Sequence, residues 1–474
     1  MSARLPAWAR PSDIADLLRL SVPIAFTRMS MMLMHMTDAI LLGQFAPGEL
    51  AYILSAWLPL GISLGLGIGI LLGVQVLTSE LSGQGQEADS GRVFRRGLMW
   101  AIGLGGALTL LIVPFADMFF HWLFVSVAPP SHGAIAPETV AAETASVTRI
   151  LAIALVGHMI SQTCSYYLEA LRRPLLVSAV MYGGVALNLI IGLGLVGGFW
   201  GLPQMGAEGA AWATTVTRIG ITVVLLVLVY RLTPAFRPSA PGTPEEARRQ
   251  LSVGTGTAIS NVAEWGGFNM TFVIATWISL SANAVYGYAT QMMGLCFMFY
   301  LGIATATSVR VAEGVGRGDQ LAVRNAGRLG VVATLIMGAG LGLLVVLLRE
   351  PLSILLVRED AELGGVMLAP AIAFLLIFAG IITVFDGLQA TASFALRAQG
   401  MVWLPSAIHL GSFFVVMLPL CYWLGITLER GPRGVMEGAC LALIFAGTLQ
   451  VILLEWKAAR PVKERAAGTV FVPH

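Results

Sequence analysis

The sequence predicts an all-α polytopic membrane protein, with twelve transmembrane helices in two pseudo-symmetric six-helix lobes. Three observations predict it. The composition cannot supply a water-facing surface. Apolar residues make up 57% of the 474, charged ones 11%, and the mean hydropathy is +0.82, against about 25% charged residues in a soluble globular chain. Apolar runs of about 20 residues, enough to cross the hydrocarbon core, recur along the chain. The second half also repeats the first. The net charge of +2 gives no reason to expect a nucleic-acid partner, and the lipid bilayer is the expected surrounding.

In order, the runs place spans at 15–43, 52–79, 97–125, 147–170, 174–198, 207–230, 250–280, 284–309, 327–349, 365–396, 402–426 and 438–456. Several exceed the bilayer thickness and predict tilt or extension beyond it. Loop charge sets the orientation. Arg92, Arg95 and Arg96 follow the second span, Arg172 and Arg173 the fourth, and Arg231, Arg237, Arg248 and Arg249 the sixth. Arg310, Arg317 and Arg324 follow the eighth, and Lys457, Arg460, Lys463 and Arg465 the twelfth. The loops after spans 1, 3, 5 and 7 hold no Lys or Arg. Those after spans 9 (Arg349, Arg358) and 11 (Arg430, Arg433) do, but acids balance them. The positive-inside rule then puts both termini in the cytoplasm.

The resulting layout is a cytoplasmic N-terminus (1–14), an N-lobe (15–230), a cytoplasmic linker (231–249, "RLTPAFRPSAPGTPEEARR"), a C-lobe (250–456) and a cytoplasmic tail (457–474). No cleavable signal is expected, because the apolar run after Arg4 and Arg10 is too long for one. Cys164, Cys296, Cys421 and Cys440 lie in apolar stretches without paired spacing and read as small apolar side chains.

The repeat is visible in three segments. "RLSVPIAF" at 19 recurs weakly as "QLSVGTGT" at 250, and "LEALRRP" at 168 as "SFALRAQG" at 393. "LTSELSGQGQEADSGRVFRRGL" at 77 recurs as "SVRVAEGVGRGDQLAVRNAGRLG" at 308, aligning Gly83 and Gly85 with Gly316 and Gly318, and Glu80 with Glu313. A repeat of six spans keeps one orientation, so an axis along the membrane normal relates the halves. Transporters commonly have this architecture, with sites near the midplane.

Three carboxylates fall well inside spans: Asp38, Glu264 and Asp386. Each costs about 2.5–3.5 kcal/mol at a helix centre on insertion scales, so it is kept where it faces a partner or a wet cavity. Helical spacing groups Thr383, Asp386, Gln389, Ser393 and Arg397 on one face, and Thr257, Ser260, Asn261, Glu264, Phe268 and Thr271 on another. Asp38 shares its face with Thr27, Met31, Met34 and His35, a methionine surface suited to varied apolar partners. A purely structural alternative pairs the acids with Arg28 or Arg218. A carboxylate in a low-dielectric cavity can carry a proton, and a pair of acids can bind Na⁺. The same charge attracts an organic cation, on which Phe268, Trp265 and Tyr288 can stack. Competition of ion and cation for one carboxylate yields exchange.

Other signals are weaker. His35, His121, His158 and His409 have no metal-ligand spacing. No Walker motif, serine elbow or zincin spacing is present, so neither ATP nor hydrolysis is expected. "GLGIGILLG" at 65 reads as a helix-packing stripe.

Several segments together resemble the multidrug and toxic compound extrusion (MATE) family, and its NorM-like branch in particular. "LLRLSVPIAFTRMSMMLMHMTDAILLGQFAPGELA" is similar to the family's opening, with Pro23 and Asp38 in place. "FMFYLGIATATSVRVAEGVGRGD" and "VFDGLQATASFALRAQG" are similar to two further family segments, and "AEWGG" puts Glu264 at an acidic position. The resemblance implies no enzyme and no cofactor, but a monomeric antiporter of the bacterial inner membrane. It would export organic cations from the cytoplasm in exchange for H⁺ or Na⁺. The resemblance makes Asp386 a cation-site residue. Glu264 and Asp386 are expected to bind the ion, with Ser260, Asn261 and Gln389 as neutral ligands and Asp38 and Asn188 assisting. The chain departs from the family's pattern at Gly192, Arg28 and Thr290. Alternatives are a lipid-linked sugar flippase of the same superfamily and, from other classes, a channel or a membrane-embedded enzyme.

Overall fold

The computed structural model describes residues 10–46, 49–127, 136–357 and 359–459. The first nine residues with Arg4, Arg358, and the tail from Arg460 with Lys463 and Arg465 lie outside the described residues. The chain is almost wholly helical. In order come α1 (Pro11–Phe45), α2 (Leu50–Gly83), α3 (Ser90–His121), α4 (Pro137–Ala170), α5 (Pro174–Gly197), α6 (Gly206–Leu232) and α7 (Pro244–Ile278). The second half has α8 (Leu280–Gly316), α9 (Gln320–Leu347), α10 (Arg349–Leu356), α11 (Leu368–Ala398), α12 (Trp403–Leu410), α13 (Leu418–Tyr422) and α14 (Gly431–Ala458). Widened π turns extend α3 over Trp122–Val127 and join α12 and α13 into one crossing, Trp403–Thr427.

Eleven helical stretches among the described residues are long and apolar enough to cross a membrane. The twelfth long helix, α7, has 35 residues but carries the polar face with Ser260, Asn261 and Glu264, which lowers its apolarity below that of its neighbours. Counting it, twelve crossings stand as the sequence predicts. Most helices run past the apolar runs that reveal them. α4 starts at Pro137 where the run starts at 147, and α9 at Gln320 where the run starts at 327. Apolarity marks the depth of hydrocarbon, whereas backbone hydrogen bonding continues into the interface until a cap ends it. Ser279 and Asp319 cap α8 and α9 by accepting from Ala282 N and Ala322 N. Gly198, in the left-handed region at φ +72°, ends α5.

The stretch after α9 is more ordered than its composition suggests. α10 is followed by a hairpin, β1 (Glu362–Leu363) against β2 (Val366–Met367), with Leu363 opposite Val366.

The chain divides into two compact units. One gathers Met1–Ala25, Val76–Glu87 and Gly267–His474; the other Phe26–Gln75 and Ala88–Gly266. In the first, α11 packs against α8, α9 and α14 around Tyr286, Tyr300, Ile372, Leu376, Phe413 and Leu443. Here the repeat becomes physical. A Cβ on Gly83 would lie 2.2 Å from the Glu313 carbonyl oxygen, and one on Gly316 2.1 Å from that of Glu80. The matched segments pack on each other reciprocally, as a two-fold relation requires. In the second unit, α4 packs on α3 and α6, and α5 on α6, over Phe94, Tyr167, Leu168, Val177 and Leu225. α2 and α7 meet there at small residues, where a Cβ on Gly254 would sit 2.1 Å from Ile70 O.

The connection between α6 and α7 is anchored. Arg95 donates to Ala235 O and Arg237 O (2.8 and 2.9 Å), and Arg92 and Arg96 both bind Glu246 at the start of α7.

Candidate functional site

The intramembrane acids sit in three different settings. Asp386 is buried near the middle of α11, with Thr383, Gln389, Ser393 and Arg397 also buried along the helix. Its Oδ2 accepts a hydrogen bond from the Tyr300 hydroxyl on α8. Its Oδ1 accepts from Gln389 Nε2, one turn along α11, at 3.3 Å. The carbonyl oxygen of that amide, Gln389 Oε1, is buried and makes no hydrogen bond among the described residues. A carboxylate, a phenol oxygen and an unused amide oxygen thus share one small buried space. Hard oxygen donors of this kind suit Na⁺, and the carboxylate alone suits a proton.

Glu264 is half-buried on α7 and falls in the other compact unit. Its helix neighbours are held separately. Asn261 Nδ2 donates to Gly65 O at 3.0 Å on α2, and Ser260 Oγ donates to Gly256 O at 3.1 Å. Phe268 lies with the first unit, tilted against Phe413 at 5.8 Å, and Tyr288 packs at the margin of the same core.

Asp38 is buried in α1 and is held through α6. The Thr214 hydroxyl donates to Asp38 Oδ2 at 2.6 Å, and Asn188 Nδ2 on α5 donates to Thr214 Oγ1 at 3.1 Å. The structure therefore brings Asp38 and Asn188 into one chain of hydrogen bonds. His35, a turn before Asp38, packs tilted at 39° against Trp57, with 4.3 Å between ring centroids. Met34 is fully buried in the core of its unit and Met31 packs at its edge. These methionines fill the interior of the helix bundle.

Arg28 does not pair with Asp38. Its Nη2 binds both carboxylate oxygens of Glu169, at 3.2 and 3.1 Å, and Gln75 Nε2 donates to Glu169 Oε2 at 2.9 Å. The Tyr166 ring lies 5.5 Å from the guanidinium carbon. Ten residues along a helix span about 15 Å, so Arg28 and Asp38 on one helix are out of reach of each other. Glu169, Gln75, Thr214 and Tyr300 were not picked out by helical spacing. Glu169 stands in the repeated "LEALRRP" segment, a signal that points to it; Tyr300 is one of three tyrosines in its span, with Tyr286 and Tyr288, and nothing in the sequence singles it out. All four cysteines are free and buried. Among the described residues no cluster of three His, Cys, Asp or Glu could hold a metal ion.

Comparison with known proteins covers nearly the whole chain. The MatE family model matches residues 23–193 and 257–423. A "Probable multidrug resistance protein NorM" from Caulobacter vibrioides is 32% identical over 96% of this chain and 94% of its own. The "Multidrug resistance protein PmpM" of Pseudomonas aeruginosa is 27% identical over 96% of this chain and 93% of its own. Among solved structures, an outward-facing multidrug resistance MATE family transporter of the MOP superfamily superposes with TM-score 0.84 at 17% identity. It covers 95% of this chain and 97% of its own. The eukaryotic MATE transporter AtDTX14 superposes with TM-score 0.81 at 17% identity, covering 94% and 97%.

Proposed function

The chain belongs to the MatE family, and we propose that it is an antiporter that exports organic cations from the cytoplasm in exchange for H⁺ or Na⁺. Curated relatives carry the names of multidrug resistance proteins, which supports a role in transport. The observation that carries the coupling part is the Asp386 cluster, a buried carboxylate held by Tyr300 and Gln389 with an amide oxygen to spare. Such a group lowers its free energy by taking a cation, because an unpaired charge in the membrane interior is costly. Ion and substrate then exclude each other at one charge, which is the thermodynamic core of exchange. Glu264, with Asn261 and Ser260 nearby on α7, is the second acid of this reading. Asp38 with Thr214 and Asn188 is a separate, assisting group. The loop arginines support a reading in which both termini face the cytoplasm and the protein sits in a bacterial inner membrane.

The flippase alternative calls for a strongly basic cavity to hold a diphosphate. Arg28 is neutralised by Glu169, which weighs against it. Efflux of a fluorescent organic cation from reconstituted vesicles, under an imposed H⁺ gradient and then a Na⁺ gradient, tests the proposal. One gradient is expected to drive efflux; if neither does, the reading fails.

A further inference from the structure

The two halves exchange their first helices. α1 opens the first repeat, yet its beginning, up to Ala25, belongs to the compact unit built mainly from the second. α7 opens the second repeat, yet up to Gly266 it belongs to the unit built mainly from the first. The contacts match. Leu17, Leu20 and Ile24 of α1 pack with Ala306 and Val309 of α8 and Leu329 of α9. A Cβ on Gly302 of α8 would lie 2.7 Å from Ser21 O and from the Ala25 Cβ. A Cβ on Gly69 of α2 would likewise run into the Ala258 backbone of α7. Gly69 and Gly302 are 233 residues apart, and so are Ala25 and Ala258, so one contact occurs twice. Charges tie down both helix starts. Arg310, near the end of α8, donates to Asp13 O and Asp13 Oδ1 at 3.1 and 2.9 Å and pairs with Asp16 at 3.3 Å. Glu246, at the start of α7, takes Arg92 and Arg96 of α3 at 2.8 and 3.2 Å, and Arg96 also donates to Gln250 Oε1. Helices α1 to α6 make six crossings, so the starts of α1 and α7 lie at the same membrane face, the cytoplasmic one on the loop-charge reading.

Export requires that face to open to its substrate, and repeats that rock apart cannot open it while each holds the other's first helix. We propose that the exchanged helices form a paired latch: α1 leaves α8 and α9 in the same step in which α7 leaves α2 and α3. Arg310 on one side, with Arg92 and Arg96 on the other, sets how readily the step occurs. The purpose assigned to the latch rests on the export reading. Two features suit the contacts to it. The ion pairs are only part-buried, with Arg310 10% and Asp13 37% exposed. Such pairs add a little to the closed state without making its opening prohibitive, as a fully buried pair would. The helices that receive the exchanged ones also touch each other, α2 and α8 meeting through Gly83 and Gly316. Release of one exchanged helix therefore loosens the seat of the other.

The test is the rate at which a charged maleimide labels a buried thiol in the purified full-length protein in detergent. Leu20→Cys reports on α1, and Val253→Cys, buried at the matching position, reports on α7. The wild-type chain, whose four cysteines are buried, gives the background. Arg310→Gln should speed the labelling of Leu20→Cys by about fivefold, the scale of part-exposed ion pairs. It should speed Val253→Cys by a similar factor, although that residue lies in the other compact unit. Glu246→Gln should speed both reporters in the same way. Asp13→Asn with Asp16→Asn removes the α1 pairs from the other side and serves if Arg310→Gln does not fold. Melting temperature in the same detergent identifies the folded variants. Acceleration confined to the helix that lost its pair would overturn the paired latch. So would unchanged labelling of both reporters in folded variants. A failure of the export reading shows instead in the vesicle efflux assay, on which the labelling rates do not depend.

Discussion

Removing Glu169 should destabilise the protein severely, while removing Glu169 and Arg28 together should not. The Arg28 guanidinium is 6% exposed and touches both Glu169 oxygens. Glu169→Ala leaves that cation buried and uncompensated, a change worth about 3–5 kcal/mol. It also strips Gln75 Nε2 of its acceptor, adding about 1 kcal/mol. A kilocalorie shifts the melting point of a 150–250-residue protein by about 2–4 °C and that of a longer chain by less, so a drop of about 5 °C or more is expected. Arg28→Met with Glu169→Met removes both charges and keeps the volume. Such exchanges of a buried pair are often neutral, so the double variant should melt close to the wild type. The assay is thermal unfolding of purified protein in detergent at one fixed scan rate, since membrane proteins commonly unfold irreversibly. A single variant that melts like the wild type, or a double variant as fragile as the single one, would refute the reasoning.

Three further outcomes follow from the same contacts. Tyr300→Phe keeps the ring but takes away the hydroxyl on Asp386 Oδ2; hydrogen bonds to charged groups are worth about 1.5–3 kcal/mol, so gradient-driven efflux should slow by about tenfold in the vesicle assay, and an unchanged rate would remove Tyr300 from the coupling site. Thr214→Val interrupts the chain from Asn188 to Asp38; chemical unfolding should show a loss of about 1–3 kcal/mol, because a buried carboxylate and a buried amide both lose a partner. Gly254→Val places a side chain where even a Cβ would lie 2.1 Å from Ile70 O; overpacking of this kind costs about 1–3 kcal/mol, read as a lower melting temperature, and a Gly254→Val protein as stable as the wild type would mean that α2 and α7 do not need their close approach.

The helices were legible because a membrane span has one strong signal, a run of apolar residues as long as the bilayer is thick. That signal says little about where the backbone stops, which is why α4 and α9 begin well before their runs. It also says nothing of the hairpin at 362–367, which glycine turns and local pairing create. The repeat was readable from glycine and acid positions alone, and Gly83 and Gly316 show what those glycines do: they let matched segments touch. Within the candidate sites, the acids announced themselves by their cost. Their partners did not. Tyr300 lies 86 residues from Asp386, and Thr214 lies 176 from Asp38, separations that helical periodicity cannot bridge. Arg28 shows the converse, since a cation close in sequence to an acid belongs to another one, 141 residues away.

The central claim is that Asp386 couples an ion gradient to export. The most direct measurement compares wild-type protein with Asp386→Asn in the same vesicles. Gradient-driven efflux of a fluorescent organic cation is measured beside its equilibrium binding to purified protein. The account predicts that the variant folds and still binds the dye, though more weakly, but that the gradient no longer drives its export. Full gradient-driven efflux from the Asp386→Asn protein would contradict the account.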